Sequence, residues 1–153
     1  LTYEDLLVAA EHDGLIVKEQ PLLGNDGRIS CNRIAIRNTI NTQTEKSCVL
    51  AEELGHYYTT AGDILDQSSV THRKQELHAR FWAYNQMVGL LGLIQAYEHG
   101  CRSQYEIAEY LDVTEAFLKE AINCYASKYG DFVSVDSYII YFVPTLGVMK
   151  ITG

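Results

Sequence analysis

The chain has 153 residues, 47% of them hydrophobic, which is the size of one compact domain with a single continuous core. No apolar run approaches the roughly 18 residues that suggest a membrane span. Twenty acidic against twelve basic residues give a net charge of −8, which argues against nucleic acid as a direct partner, because phosphate contacts depend on Lys and Arg.

Thr2-Tyr3-Glu4-Asp5 puts a hydroxyl cap before an acidic first turn, and Leu6, Leu7 and Ala10 follow at helical spacing. A short opening helix is expected to end near Gly14. Leu15-Ile16-Val17 and the stretch from Ile29 to Ile36 are rich in β-branched residues, with turn chemistry from Pro21 to Gly27 between them. They predict a β-hairpin or small antiparallel sheet. Thr42-Gln43-Thr44-Glu45 fits a capping box, so a helix should run from there to about Thr60 and stop at Gly62. Thr71 can cap a long second helix towards Tyr97, ending before Gly100, with Gly89 and Gly92 as places where it weakens or bends. Ser103-Gln104-Tyr105-Glu106 and Thr114 start a helical pair that ends at Gly130. Ser137 to Val143 reads as a C-terminal strand, stopped by Pro144. The expected class is α+β in a single domain, 1–153, with the helical pair 103–130 inside it.

The four cysteines, Cys31, Cys48, Cys101 and Cys124, form no CxxC pair and read as reduced, buried thiols. No charged, apolar, small-residue progression marks the N-terminus as a signal peptide, so a cytoplasmic location is expected.

The chemistry concentrates in Glu52-Glu53-Leu54-Gly55-His56. Residues four apart lie one helical turn along on nearly the same face, so Glu52 and His56 can reach one ion, while Glu53 is displaced to the side. A carboxylate beside an ion, but not bound to it, can take a proton from water, the division of labour behind the HExxH motif. Gly55 leaves room for close packing at the back of the helix. A catalytic zinc needs three protein donors and one open position, and Glu76 on the next helix is the best third donor. His72, four residues before Glu76, is an alternative ligand that would restore a second imidazole; read plainly it is a solvated residue near a helix start. His78 falls on the wrong side of that helix.

The segment from Cys48 to Tyr58, followed by Glu76-Leu77-His78-Ala79-Arg80-Phe81-Trp82-Ala83, resembles the ImmA/IrrE family of metallo-endopeptidases of phages and mobile elements. That family has an HExxH helix, then a glutamate followed by Ala and an aromatic-Ala pair, matched at Glu76, Ala79, Trp82 and Ala83. The resemblance implies metal ligands at Glu52, His56 and Glu76, zinc as the ion, and Glu53 as general base. It also implies a helix-turn-helix repressor as the protein substrate. The departure is Glu52, where the family has His. Two carboxylates and one imidazole neutralise an ion more fully, weaken it as a Lewis acid, and favour harder ions such as manganese.

The expected activity is metal-dependent hydrolysis of a peptide bond, with a strand at Arg28 to Arg37 holding the substrate by β-augmentation. Tyr57 and Tyr58 are candidates for the oxyanion donor. The rival expectation is a non-catalytic repressor-binding protein on the same scaffold. Ser103 to Ala121 has a helix-turn-helix outline, but Glu115 and Glu120 flank Lys119 on its second helix, so packing is the better reading. Tyr138, Tyr141 and Phe142 read as core and edge residues rather than a base-stacking platform.

Overall fold

The β-rich region between Leu15 and Ile36 folds into three short strands, with an order that local turn chemistry does not announce. The computed structural model describes residues 1–60 and 69–151 and, of residues 69–71, the backbone alone. Contacts divide the chain into two compact units, Leu1–Gln86 and Met87–Gly153.

In the first unit, α1 (Tyr3–His12) opens with a complete capping box. The Thr2 hydroxyl accepts from the Asp5 amide at 3.1 Å, and the Asp5 carboxylate accepts from the Thr2 amide at 2.9 Å. Tyr3, Leu6 and Ala10 form its buried face. Strands β1 (Ile16–Gln20), β2 (Gly27–Ser30) and β3 (Arg33–Arg37) form a sheet in the order β1-β3-β2. Strand β2 runs antiparallel to β3, but β1 pairs with β3 in parallel, so the sheet is mixed rather than purely antiparallel. The reason is the segment after Pro21, which carries the chain to the far side of β3 instead of back along β1. Arg37 pins its end: its guanidinium donates to Asp26 at 2.7 and 2.9 Å, and its amide donates to the Asp26 carbonyl at 2.8 Å. The expected continuous strand from Arg28 to Arg37 is instead a hairpin, broken at Cys31-Asn32, where Cys31 adopts φ 54°.

Helix α2 (Gln43–Thr60) starts where expected, with the Thr42 hydroxyl accepting from the Glu45 amide at 3.1 Å. It packs against α1, β2 and β3, and meets the buried Ile34 and Ile36 with Leu50, Ala51 and Leu54. Complete burial of one such Leu or Ile stabilises the fold by about 2 kcal/mol. Ser47, fully buried among them, donates its hydroxyl to the Gln43 carbonyl at 2.9 Å, so it adds no unsatisfied polar group. Helix α3 (Ser69–Met87) follows. The expected stop at Gly62 and the expected Thr71 cap lie outside the described residues and side chains.

The long helix predicted from Thr71 to Tyr97 is two helices. The chain breaks at Val88, Gly89 takes φ +68°, and α4 (Gly89–His99) begins there. A left-handed residue cannot continue a right-handed helix, and glycine adopts it without a Cβ penalty. Within the second unit, Ser103 and Thr114 cap α5 (Gln104–Leu111) and α6 (Glu115–Tyr129) as expected, each hydroxyl accepting from the amide three residues on. Asp112, at φ 57°, makes the tight turn between them. Phe117, Leu118, Ala121, Ile122 and Tyr125 are the buried face of α6, and its exposed residues include Glu115, Lys119 and Glu120.

The single strand expected at the C-terminus is the middle of a three-stranded antiparallel sheet, β4 (Phe132–Val135), β5 (Tyr138–Tyr141) and β6 (Gly147–Lys150). Tyr138, Ile140 and Phe142 are buried, and Tyr141 of the central strand packs its ring on Phe132 of the edge strand β4. The class is α+β, and no helix among the described residues is long and apolar enough to cross a membrane. The four cysteines form no disulfide; Cys48 and Cys101 are buried, but Cys31 is exposed in the β2–β3 turn, which corrects the expectation of four buried thiols.

Candidate active site

Two backbones that come unusually close organise the region. A Cβ built on Gly55 of α2 would stand 2.2 Å from the carbonyl oxygen of Ala79 on α3, so at this crossing only hydrogen fits. Ala79 and Ala83 are both fully buried, and their small side chains let α3 approach. One turn before Ala79 along α3 is Glu76, and next to Gly55 on α2 is His56. The crossing therefore sets these two against each other, with His56 Nε2 3.6 Å from Glu76 Oε1. The other Glu76 oxygen is 4.0 Å from Arg80 Nε. That half-exposed ion pair is worth less than about 1 kcal/mol. The Tyr58 ring packs on Trp82, centroids 5.0 Å apart, closing the same two helices one turn further on.

Glu53 is half-buried beneath the first strand of the hairpin. A Cβ on Gly27 of β2 would meet Glu53 Cγ and Oε1 at 2.9 Å and Val49 Cγ1 at 2.8 Å. Glycine thus lets the β2 backbone lie directly over this carboxylate and shield it from water. Burial, reinforced by the charges of Glu52 and Glu76, pushes the Glu53 carboxyl up from 4.5 to about 7. A carboxylate near neutrality can both accept and return a proton under ordinary conditions. Gly27 was legible in the sequence only as turn chemistry; its role depends on a helix that lies far along the chain.

Glu52 is half-buried on α2, and its charge is one of those acting on Glu53. His72 and His78 are both exposed on α3. The Tyr58 hydroxyl donates to the Asp13 carboxylate just after α1. Burial, and then that bond, push Tyr58 up to about 12, and the same bond holds Asp13 below its ordinary range. As an oxyanion donor, Tyr58 would first have to leave Asp13. Tyr57 meets the Tyr58 ring edge-on at 5.2 Å.

Two donors bound tetrahedrally to one ion at about 2.0–2.2 Å stand about 3.4 Å apart, close to the separation of His56 from Glu76. This pair fits a divalent ion. Among the described residues, no group of three His, Cys, Asp or Glu side chains is gathered closely enough to hold one.

The family model of the M78 peptidases, described as the IrrE N-terminal-like domain, matches residues 10–123. The chain belongs to this family. Membership in M78 makes this a metallopeptidase-type domain, and implies a divalent metal, usually zinc, and a protein substrate. The match takes in the first sheet, α2, α3, α4 and most of the helical pair. No curated protein matches the chain.

Proposed function

We propose that this M78 protein is a metal-dependent endopeptidase in which His56, Glu76 and Glu52 hold a divalent ion and Glu53 is the general base. The observation that carries the reading is the approach of His56 Nε2 to Glu76 Oε1 at 3.6 Å, beside the half-buried Glu53 carboxylate. Zinc is the first choice of ion and manganese the second, because Glu52 adds an oxygen donor in place of an imidazole. When bound, the ion polarises the scissile carbonyl and acidifies water. Glu53 accepts the proton of the attacking water and delivers it to the leaving amine. The β2 backbone at Gly27 covers one side of the Glu53 carboxylate. Strand β2 pairs with β3 on one side only, so its outer edge can take an extended substrate as an added strand. This moves the substrate strand from Arg28–Arg37 to Gly27–Ser30.

The substrate that the family resemblance favours is a helix-turn-helix repressor of the phage type, cut in the cytosol to induce a mobile element. Glu52 predicts slower turnover than a site with two imidazoles, because the more neutralised ion is a weaker Lewis acid. The second reading, a repressor-binding protein without catalysis, is favoured by one observation: no three-donor group among the described residues. Incubating the metal-loaded protein and Glu53→Gln with the repressor encoded beside it separates the two. Cleavage by the wild type alone supports the peptidase. Stable binding by both, with the repressor intact, supports the binder.

A further inference from the structure

We infer that the face of the first sheet turned away from α2 is a docking site for an acidic peptide segment. The alternation of side chains along a strand sends Ile34 and Ile36 into the core and the odd-numbered residues of β3 to the opposite face. On that face Ala35 is paired with Lys18 of β1 on one side and Arg28 of β2 on the other, and in the next row Arg33 lies between Ile16 and Ser30. A small residue in the central strand, with long side chains on both flanks, leaves a cavity of about 310 Å³ lined by these residues and Gln20.

Charge decides what fits there. The chain carries −8 overall, yet this cavity is lined by three cations and by no acidic residue. Lys18, Arg28 and Arg33 are exposed and make no ion pair among the described residues. Arg37, the next cation along β3, is taken by Asp26. Acidic residues at neighbouring positions are also drawn off: Glu19 points to the other face and binds Lys46 at 2.7 Å. Three like charges about one or two strand spacings apart repel each other until an anion is placed among them. Carboxylates suit the two guanidinium groups, which bind them in a two-point fork. Ile16, 42% exposed, offers an aliphatic contact, and Gln20 and Ser30 offer neutral hydrogen bonds.

A peptide suits the cavity better than a nucleic acid. No aromatic side chain lines it to stack a base. Three cations on a chain of this net charge are also few for a duplex, whose binding rests on many phosphate contacts. The site is on the opposite side of the sheet from Glu53, so its occupancy is measured by binding alone and does not depend on the proposed peptidase activity.

The experiment is fluorescence anisotropy with the full chain and a labelled peptide of alternating Glu and Leu, against a Lys-Leu peptide of the same length, single-stranded oligothymidylate and a DNA duplex. Binding of the Glu-Leu peptide alone is expected, weakened about tenfold or more by Arg28→Glu with Arg33→Glu and weakened by added salt. Amide shifts in the wild-type NMR spectrum on adding peptide should centre on residues 16–20 and 28–35, which tests the site even if the charge-reversed protein fails to fold. The inference is overturned if no acidic peptide binds, if the shifts fall elsewhere, if the folded variant binds equally well, or if either DNA binds more tightly than the peptide.

Discussion

The Cα of Gly55 lies so close to Ala79 that a Cβ at 55 would sit 2.2 Å from the Ala79 carbonyl oxygen. Backbone cannot move aside as the end of a flexible side chain can, so Gly55→Ala must push α3 away from α2. The expected cost is about 2–3 kcal/mol, read as a lower urea midpoint. Because the same crossing brings His56 to Glu76, metal affinity should fall with it. A variant that keeps both stability and metal affinity contradicts the proposed role of the crossing.

Glu52 makes a prediction in the opposite direction. Glu52→His supplies a second imidazole and removes one negative charge from the proposed site, which strengthens a bound ion as a Lewis acid. Peptide hydrolysis should rise by about tenfold, equivalent to 1.4 kcal/mol in the barrier. Cleavage rates of the two proteins at matched zinc loading measure it, and a fall in rate shows that glutamate suits this position better than histidine does.

The capping hydroxyls give a test of local structure. Thr42→Ala and Thr114→Ala each remove an acceptor that bonds an otherwise unpaired amide in the first turn. Each should cost about 1 kcal/mol, measured by chemical denaturation, with Ser restoring most of the loss.

These caps were also what made the helices legible. Thr2, Thr42, Ser103 and Thr114 stand where the sequence put them because a cap is a local event, decided within four residues. The helix break at Val88 was not legible as a break, because the apolar period continues through it and glycine is tolerated inside helices. Both two-residue hairpin turns escaped for a related reason: the left-handed residues there are Cys31 and Asp136, without the Gly that normally marks such turns. The parallel pairing of β1 with β3 depends on a crossover whose path is set by Arg37 and Asp26, which no window of the sequence shows. At the candidate site, the approach of His56 to Glu76 was legible from the expected packing of two successive helices. Gly27 was not, because its constraint is the Glu53 side chain.

Glu53 predicts how the metal-free protein responds to pH. Its folded carboxyl titrates near 7 and its ordinary value is 4.5, so between these values the folded chain holds a proton that the unfolded chain has released. The stabilising contribution of the neutral form is complete below about pH 4.5 and is lost as the pH rises through about 7. With chelator present, the urea midpoint should fall across that window in the wild type and much less in Glu53→Gln. Equal slopes for the two proteins contradict the assigned burial.

The central claim is that His56 and Glu76, with Glu52, hold one divalent ion. Its most direct test is metal content by mass spectrometry on protein purified without chelator, for the wild type, His56→Ala, Glu76→Ala, Glu52→Ala and His72→Ala. The account predicts one ion per chain in the wild type and in His72→Ala, and loss in the other three. Metal-free wild type, or loss in His72→Ala with retention in Glu52→Ala, would contradict it.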